Sequence, residues 1–444
     1  MKNILIFGAG RSATILIRYL LQEAAKNDWS VTIADAVAET AHQKTAGHPH
    51  GKGVGIDAGN PEARLALIRQ HDLVISLLPP FMHLDIARDC LTAGVHILTA
   101  SYITPEMKAL DQEFKSKGLL FMGEMGLDPG IDHLSAMQLI DKIKGMGGKI
   151  TAFRSYCGGL IAPESDTNPW HYKFTWNPRN VILAGQGTAQ YLEDGIMKYL
   201  PYHRLFKEYR TIEVPGMGQW EVYANRDSLG YQEIYGLKGI RSLLRGTIRH
   251  PGFCDAWNTL VQLGLTDNSY QMHGSKQMTT RKWIESMLPA LQKGAIRNRV
   301  AKLAGYKAGS ETLDKIAWLG LFDNISINTF QKTPAQVLEE LLLEKWKLEQ
   351  EDNDMIIMHH EFKLLLENQR ISLTSSMIIK GEDSVNTAMA KTVGLPIGIL
   401  ACLLMKAKIN ITGVQIPVMK EIYDPVLKEL KNMGIVFIEV KNNN

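Results

Sequence analysis

A glycine-rich segment near the start of the chain has the residue types that bind a dinucleotide. The segment GAGRSA follows the apolar run NILIF and precedes a helical pattern, and it contains Gly8, Gly10, Ser12 and Ala13. Gly8 permits a tight turn, Gly10 lets the backbone approach a pyrophosphate, and the small Ala13 lets the helix pack closely on the strand. The first N–H groups of the helix then face the phosphates. We predict that these four residues bind the cofactor.

Two further residues lie at the ends of neighbouring predicted strands. Asp35 ends the second one, where a carboxylate accepts hydrogen bonds from the ribose hydroxyls and repels a 2′-phosphate. Asp35 therefore favours NAD, and NADP stays an alternative because Lys44 nearby can offset the repulsion. Ser76 lies toward the end of the strand LVISLL, where doubly wound sheets bind their ligands, and we place it near the nicotinamide ribose.

The elements that carry these residues alternate between strand and helix. Short strand-like runs at 30–34, 73–78, 95–100 and 119–124, nearly all without charge, are separated by segments with helical spacing of apolar residues. This alternation is typical of a doubly wound parallel sheet with both faces covered. We therefore predict an α/β protein whose residues 1–127 form a Rossmann dinucleotide-binding domain.

After about residue 128 the pattern changes to that of a mixed α+β domain. Strand-like runs occur at 149–157, 208–214 and 219–223, and alternating runs at 354–359 and 371–379 suggest a strand pair. A mixed sheet of this kind suits substrate binding and dimerisation. The fold class predicted for the whole chain is thus a Rossmann sheet plus a mixed α+β domain with a helical insert.

The boundaries follow from the same patterns. We assign residues 128–235 together with 351–390 to the mixed-sheet, substrate-binding domain. Residues 236–350, including the stretch 236–250, have helical spacing and predict the helical insert. The C-terminal segment 391–444 is expected to return to the Rossmann domain.

The composition excludes several classes of protein. Of the 444 residues, 45% are hydrophobic and 21% charged, which rules out a wholly disordered chain. The formal net charge is +3, from 49 basic and 46 acidic side chains, and this balance argues against a dedicated nucleic-acid binder. The four cysteines form no CxxC pair, so we expect reduced thiols and neither a zinc site nor a disulfide framework.

Other segments predict no metal and no membrane partner. His42, His48 and His50 fall in a loop of small polar residues, where solvation is the default and no metal is expected. The apolar stretch 393–405 is too short to span a bilayer. The first residues lack the basic, apolar and cleavage regions of a signal peptide, so we expect a cytoplasmic protein.

Several polar segments together carry a resemblance to a known family. They are TASYITP, GLDPGIDH, SYCGGLIAPE, NRDSLGY and LLRGTIR. With AKTVGLPIGI and KEIYDPVL near the end, they make nearly the whole chain resemble saccharopine dehydrogenase of the glutamate-forming type, also called saccharopine reductase. The pattern NPxxYKFSW of the family stands here as NPWHYKFTW.

The resemblance implies reversible oxidation of saccharopine to L-glutamate and 2-aminoadipate 6-semialdehyde, in lysine metabolism. A hydride leaves the carbon beside the secondary amine for the nicotinamide, and water then cleaves the imine. In this family the fungal enzymes use NADP, with a basic residue where this chain has Asp35, whereas the animal enzymes have an acid there and favour NAD. The resemblance therefore points to NAD.

It also implies which residues meet the cofactor and the substrate. Ser101, Tyr102 and Asp128 are expected to contact both, and Ile103 is expected to contact the cofactor. Acid–base chemistry is needed because the amine must be neutral to release hydride. The candidates are Tyr102, Asp128 and Cys157, with no choice made among them.

The substrate carboxylates are expected to bind Arg226 and the segment formed by Thr247, Ile248 and Arg249. A guanidinium group suits carboxylates because it can donate two parallel hydrogen bonds. The small-molecule partners implied are saccharopine, or glutamate with aminoadipate semialdehyde. We also expect a homodimer.

Two other functions stay open. A reductive-condensation enzyme of polyamine synthesis, such as carboxynorspermidine or homospermidine synthase, resembles the same superfamily, but its substrates carry fewer carboxylates and need fewer arginines. A non-catalytic dinucleotide-sensing regulator would keep GAGRSA but need not keep Tyr102, Asp128 and Arg226 together.

Overall fold

The chain is divided into two units by the contacts between its residues. The structure is a computed structural model that describes residues 2–290 and 292–443. Unit 1 comprises the residues up to Gly148 together with Ile378–Phe437. Unit 2 comprises Lys149–Met377 together with the chain from Ile438 onward.

The elements are numbered in chain order. The strands are β1 Lys2–Phe7, β2 Trp29–Asp35, β3 Gly51–Gly55, β4 Leu73–Ser76, β5 His96–Thr99, β6 Leu120–Met122, β7 Lys149–Ile161, β8 Thr188–Glu193, β9 Ile196–Pro201, β10 Arg210–Val214, β11 Gly218–Ala224, β12 Ser242–Arg249, β13 Met278–Thr279, β14 Ser326–Ile327, β15 Asp354–Leu366, β16 Gln369–Lys380, β17 Gly413–Gln415 and β18 Ile438–Asn443. The helices are α1 Thr14–Asn27, α2 Ala38–Thr45, α3 Pro61–Ile68, α4 His83–Ala93, α5 Pro105–Lys108, α6 Asp111–Ser116, α7 Ile131–Gly145, α8 Pro178–Ile182, α9 Tyr202–Leu205, α10 Tyr231–Ile234, α11 Phe253–Gln262, α12 Thr280–Met287, α13 Ile296–Ala304, α14 Glu311–Trp318, α15 Pro334–Lys345, α16 Ala388–Met405 and α17 Lys420–Asn432. Short 3-10 turns occupy Arg11–Ala13, Pro80–Met82 and Pro163–Ser165.

Unit 1 is built on a parallel sheet with the strand order β17-β6-β5-β4-β1-β2-β3. The chain starts in the middle and winds outward in both directions, so the order reverses between β1 and β4. Phe7 pairs with Ala34 of β2 and with Ser76 of β4, which brings the carboxyl ends of these three strands to one edge. This confirms the predicted doubly wound sheet and places the glycine-rich loop at its switch point.

The mixed sheet of unit 2 has the strand order β10-β11-β12-β7-β15-β16-β18, and the hairpin β8–β9 joins it at β12. Long strand β7 runs parallel to β12 and antiparallel to β15. The turn between β15 and β16 contains Glu367 and Asn368, both with positive φ. Two such residues suit a tight hairpin because they follow the right-handed twist of the strands. The mixed α+β domain that we predicted is thus present.

The prediction of a helix over 236–250 is wrong. Ser242–Arg249 forms strand β12, which pairs with β7 on one side and β11 on the other. A short, nearly uncharged run suits a buried strand as well as a buried helix, and tertiary pairing decides between them. Gly246 matters here because a Cβ at this position would lie 2.7 Å from the carbonyl oxygen of Tyr223. The helices expected in this region start only at α11.

Three domain boundaries differ from those expected. Helix α7 packs against α17, and Tyr423 Oη donates to Asp141 Oδ2 at 2.6 Å, so unit 1 continues past residue 127 as far as Gly148. The return to unit 1 begins at Ile378, so the end of the segment 351–390 does not belong to the mixed-sheet domain. The return ends at Phe437, because β18 pairs with β16 in the mixed sheet.

Helix α16 is the most apolar long helix of unit 1. Its 18 residues give it the length and composition of a membrane span, so the argument that the 393–405 stretch is too short does not hold. Most of the helix is buried inside the protein, as expected for a core helix. Two glycines allow α16 to approach α1 closely. A Cβ at Gly394 would lie 2.9 Å from the backbone nitrogen of Leu16, and a Cβ at Gly398 would lie 2.6 Å from the Tyr19 ring.

Replacing Gly394 by valine is expected to destabilise the protein by about 1–3 kcal/mol, because the new side chain must push α16 away from the backbone of α1. Denaturant unfolding would measure the loss. Gly145→Ala is the matched control, since a Cβ at this helical position meets no atom within 4 Å. The control should be neutral or slightly stabilising. Equal stability of Gly394→Val and wild type would contradict the assigned packing.

Candidate active site

The glycine-rich loop of unit 1 turns sharply after β1. Gly8 has φ of 99°, a conformation that favours glycine, and its N–H donates to the carbonyl of Ala34 at 2.8 Å. A Cβ at Gly8 would lie only 3.1 Å from the carbonyl oxygen of Leu77. The turn therefore holds the loop against the ends of both neighbouring strands.

Gly10 has a different role in the same loop. Its backbone is extended, and a Cβ built on it would meet no atom within 4 Å. The space above Gly10 is therefore not needed for packing within the protein, and it suits the close approach of a pyrophosphate. Ser12 lies beside it in the first helical turn, and Ala13 is buried under the loop. These residues fit a dinucleotide as the sequence predicts.

Asp35 lies directly beside this loop. Its Oδ2 accepts the N–H of Ala9 at 2.8 Å and its Oδ1 accepts the N–H of Val37 at 3.1 Å. Lys44 instead donates to Thr14 Oγ1 at the start of α1, and burial lowers its pKa. The Lys44 ammonium thus contacts Thr14, and the hydrogen bonds of Asp35 go to backbone N–H groups, so the structure gives no sign that this lysine offsets the charge of Asp35.

Ser76 is linked to Ser101 through a buried histidine that was not among the predicted site residues. Ser76 Oγ lies 2.9 Å from His83 Nδ1, and His83 Nε2 lies 2.8 Å from Ser101 Oγ. His83 is inaccessible to solvent, and burial lowers its pKa to about 4, so the ring is neutral at pH 7. A neutral ring donates through one nitrogen only, and it connects the two serines predicted to contact the cofactor.

The segment with Ser101, Tyr102 and Ile103 is held against the segment that leads to Asp128. The N–H of Glu124 donates to the carbonyl of Ser101 at 2.9 Å. Glu124 Oε1 accepts the N–H of Ile103 at 3.2 Å, so both backbone and side chain of this residue fix the Tyr102 region.

Glu124 is itself fixed by His133, and neither residue was predicted as a site residue. Their side chains are buried, with Glu124 Oε2 and His133 Nε2 2.9 Å apart. Glu124 also has a φ of 56°, which is uncommon for a residue other than glycine and recurs at functional sites. His133 ends the motif GLDPGIDH and Glu124 lies two residues before it, so the available signal was the polar stretch that follows the buried strand β6.

Asp128 projects from a tight loop at the start of α7. The N–H of Gly126 donates to the carbonyl of Pro129 at 2.9 Å, which closes the loop. Gly130 has a φ of 149°, and a Cβ there would lie 2.0 Å from the carbonyl oxygen of Gly126. Only glycine fits this position. The loop leaves Asp128 half-buried, as Tyr102 is.

In unit 2, the predicted residues lie side by side on central strands. Thr247 of β12 pairs with Tyr223 of β11 on one side and with Cys157 of β7 on the other. Paired residues of neighbouring strands present their side chains on the same face of the sheet. Thr247 and Cys157 therefore share a face. Cys157 is buried, whereas Thr247 is half-buried.

Arg249 lies two residues further along β12, on the same face, and is only 4% exposed. Its guanidinium carbon lies 5.2 Å from the ring centres of Tyr172 and Phe253 and 5.8 Å from that of Tyr223. Its Nη1 donates to the carbonyl of Ile248 at 3.0 Å, and its Nε has no hydrogen-bond partner. We call these three rings and Arg249 the arginine cage.

No carboxylate of the described residues forms an ion pair with Arg249. Its cross-strand neighbour Glu221 instead accepts the N–H groups of Gly252 and Cys254, at 2.6 and 2.9 Å. A buried cation without an anionic partner is costly, so the arginine cage is suited to an anionic ligand. Tyr172 and Tyr223 were not predicted as site residues, because aromatic side chains are more often simply core.

Arg226 and Ile248 stand in different surroundings. Arg226 is exposed, follows β11 and has a φ of 51°. Its carbonyl accepts the N–H of Gln190 at 2.8 Å, which anchors the loop. Ile248 has a fully buried side chain, so its polar contribution is the carbonyl group that orients Arg249.

The predicted residues thus fall into two groups, one in each unit. Unit 1 holds the glycine loop and the residues named up to Asp128, and unit 2 holds Cys157, Arg226 and the segment 247–249. The strand order and glycine loop define unit 1 as a Rossmann-type dinucleotide-binding domain, of the class found in nicotinamide-dependent oxidoreductases.

Family models match both parts of the chain. The model described as saccharopine dehydrogenase NADP binding domain matches residues 4–122, and the model described as saccharopine dehydrogenase C-terminal domain matches residues 126–435. The chain belongs to the saccharopine dehydrogenase family. This confirms the resemblance drawn from the sequence, and it makes unit 1 a nicotinamide-dinucleotide-binding domain.

Curated relatives agree with this family. Saccharopine dehydrogenase [NADP(+), L-glutamate-forming] of Schizosaccharomyces pombe is 31% identical, over 98% of this chain and 98% of its own. The mitochondrial alpha-aminoadipic semialdehyde synthase of Rattus norvegicus is 34% identical over 98% of this chain. The chain spans about half the length of this and similar synthases, with 47% of the rat protein covered.

Solved structures show the same fold. Apo saccharopine dehydrogenase (L-Glu forming) from Saccharomyces cerevisiae matches with a TM-score of 0.89 and 30% identity, covering 100% of both chains. The homospermidine synthase of Legionella pneumophila in complex with NAD matches with a TM-score of 0.54 and 12% identity, which indicates a shared fold alone.

The neutral state of His83 has a measurable consequence. Because its pKa is lowered from 6.5 to about 4 on folding, the unfolded chain binds this proton more readily than the folded one. Stability is therefore full above pH 6.5 and falls as the pH drops toward about 4, by up to about 3 kcal/mol. We expect a shallower fall in His83→Gln, measured by denaturant unfolding across this range.

Buried His359 has the same lowered pKa, so it contributes equally to both proteins and cancels in the comparison. His203→Ala, at an exposed position, is the control and should follow wild type. Parallel pH curves for wild type and His83→Gln would show that His83 is not held neutral.

Proposed function

We propose that this protein oxidises saccharopine with a nicotinamide dinucleotide, giving L-glutamate and 2-aminoadipate 6-semialdehyde. The family assignment over nearly the whole chain supports the reaction. The observation that carries the proposal is the arginine cage: a buried cation that pairs with no carboxylate among the described residues, in a family whose named substrate bears carboxylates.

The reaction balances with one water. When bound, the nicotinamide would supply the hydride acceptor for the lysine-derived carbon next to the secondary amine of saccharopine. The nitrogen and this carbon are left as an iminium, to which water adds, and the carbinolamine then breaks its carbon–nitrogen bond. The products are glutamate, the semialdehyde, the reduced dinucleotide and one proton. The reverse reaction uses the same groups.

Unit 1 supplies the dinucleotide contacts. Gly8, Gly10, Ser12 and Ala13 hold the pyrophosphate at the first turn of α1, and Asp35 accepts hydrogen bonds from the adenosine ribose. Ser76 and Ser101, oriented through His83, are placed for the nicotinamide half, with Ile103 beside them. The uncompensated charge of Asp35 favours NAD over NADP, although the family model and the fungal relatives carry NADP in their names.

Unit 2 supplies carboxylate binding. Arg249 donates hydrogen bonds to one carboxylate, and the rings of the cage keep water from competing. Thr247, on the same strand and face, offers a hydroxyl beside it, and the exposed Arg226 offers a second guanidinium.

Three residues remain candidates for proton transfer. Tyr102 and Asp128 are half-buried at the ends of the loops described above, and Cys157 is buried next to Thr247. A carboxylate stabilises a developing iminium charge, whereas a phenol or thiol can exchange the amine proton. We therefore assign Asp128 the electrostatic role and keep Tyr102 and Cys157 for the proton.

We propose in addition a cytoplasmic homodimer that does not act on nucleic acids or membranes. The four cysteines are buried and are not joined in disulfides, which suits a reducing compartment. Strand β9 exposes Ile196, Met197 and Tyr199, an apolar surface suited to a subunit contact. Analytical ultracentrifugation tests the dimer, and a monomer at all concentrations would contradict it.

We expect the purified protein to reduce NAD in the presence of saccharopine, with NADP a poorer acceptor. Asp35→Ser should lower the ratio of kcat/KM for NAD to that for NADP by about tenfold or more, because removing a like charge favours the 2′-phosphate. Reduced-dinucleotide absorbance measures both reactions, and Asp57→Ser is the control with an exposed aspartate.

Other results of these assays would favour one of the two alternative functions or contradict the placement of Asp35. Reduction of an imine formed from a polyamine, with no reaction on saccharopine, would favour a homospermidine-synthase-like enzyme. Dinucleotide binding by calorimetry without turnover of either substrate would favour the regulator. An unchanged cofactor ratio in Asp35→Ser would show that this carboxylate does not face the ribose.

Arg249→Met should raise KM for saccharopine strongly and lower kcat/KM about thirtyfold or more. The reason is that loss of one partner of a buried charge contact costs about 2–5 kcal/mol. Methionine fills the aromatic cage without a charge, so the fold is kept. Arg241→Met removes an exposed arginine and should leave the kinetics unchanged. Affinity for NAD alone should not change in either variant. Equal KM in wild type and Arg249→Met would remove Arg249 from the substrate site.

A further inference from the structure

Two histidines and an aspartate of unit 2 meet at a place that the proposed reaction does not use. The residues are Asp166, His171 and His250, each half-buried. The ligand atoms that they offer all lie within 4.8 Å of one another. We propose that these three residues form a binding site for a divalent transition-metal ion, with zinc as the natural occupant.

The three side chains come from separate segments. Asp166 follows a 3-10 turn, His171 lies in the segment NPWHYKFTW, and His250 directly follows β12. They are brought together because the imidazole rings of His171 and His250 stack, with centres 3.8 Å apart and planes 27° apart. His171 Nδ1 lies 2.5 Å from Asp166 Oδ2. The sequence predicted no metal ligands here, since no short spacing joins these residues.

The distances are those of a site that needs little rearrangement. Two ligand atoms of a tetrahedral zinc ion lie about 3.3–3.6 Å apart, given bonds of about 2.0–2.2 Å. A shift of about 1 Å in the side chains would bring the present cluster to that spacing. Imidazole nitrogen and carboxylate oxygen are both ligands that zinc accepts, and three protein ligands leave a fourth position for water.

Two features of the cluster are left unexplained by packing. Asp166 Oδ1 is buried and has no hydrogen-bond partner among the described residues. His171 has a φ of 52°, a left-handed conformation that costs free energy for a residue with a side chain. A metal ion would take Asp166 Oδ1 as a ligand. It would also explain why a histidine occupies the left-handed position 171.

The charges around the cluster permit a cation. Burial, followed by the neighbouring His171, lowers the pKa of His250, so this ring is neutral at pH 7 as a ligand must be. Lys315 is the nearby positive group, but its Nζ donates to the carbonyl of Pro169. Glu311, Glu221 and Asp166 are the acidic groups near Lys315.

The site is separate from the arginine cage although His250 follows Arg249 in sequence. Arg249 contacts the rings of Tyr172, Tyr223 and Phe253. The ring of His250 instead contacts His171 and lies edge-on to Trp220 at 5.5 Å. Metal binding can therefore be measured without reference to saccharopine oxidation.

The test titrates Zn²⁺ and Co²⁺ into metal-free protein from which any affinity tag has been removed. We expect one equivalent to bind per chain by calorimetry, and the Co²⁺ complex to show visible d–d absorption of a site with nitrogen ligands. His171→Gly should weaken binding about tenfold or more, because it removes one ligand while suiting the backbone at this position. Asp166→Asn should weaken it as well.

His203→Ala is the matched control, since it removes an exposed histidine outside the cluster, and it should bind like wild type. Circular dichroism and unfolding midpoints of the metal-free variants establish that each is folded. The proposal is overturned if wild type binds no Zn²⁺ above background, or if His171→Gly and Asp166→Asn both bind as wild type does. Loss of dehydrogenase activity alone would say nothing about this site.

Discussion

The Arg249 guanidinium is buried without an ion pair to any carboxylate in the described part of the chain, and this is the constraint that organises unit 2. Taking a cation out of water is costly, and aromatic faces return only part of that cost. Strand β12 places Arg249 between β7 and β11, so the position is set by backbone pairing on both sides. Glu221 is drawn away to the start of α11, which leaves the cation available to an anionic ligand.

Unit 1 also depends on buried polar side chains, which hydrogen bonds hold in place. His83 is buried and uncharged, and it connects two serines at the ends of neighbouring strands. Glu124 and His133 hold the loop that carries Tyr102. In each case a polar group removed from water must find a partner, so its orientation is fixed before any ligand binds. This preorganisation is what hydride transfer requires of the protein.

The doubly wound sheet was predictable because its evidence is local. Uncharged runs such as NILIF reveal buried strands, and GAGRSA marks the first turn by glycines whose necessity the structure explains. The strand β12 was not predictable, because its short run suits a helix or a strand until neighbours are known. The boundary at Gly148 and the placing of β18 likewise depend on packing against distant segments.

The sequence by itself determined the family and the dinucleotide-binding unit, and motifs such as LLRGTIR and GLDPGIDH supplied candidate residues for the site. Only the tertiary structure decided that Arg249 has no carboxylate partner among the described residues, that His83 links Ser76 to Ser101, and that Asp166, His171 and His250 meet. These are distances between residues far apart in the chain. They arise when strands pair and side chains are buried, and no spacing along one segment encodes them.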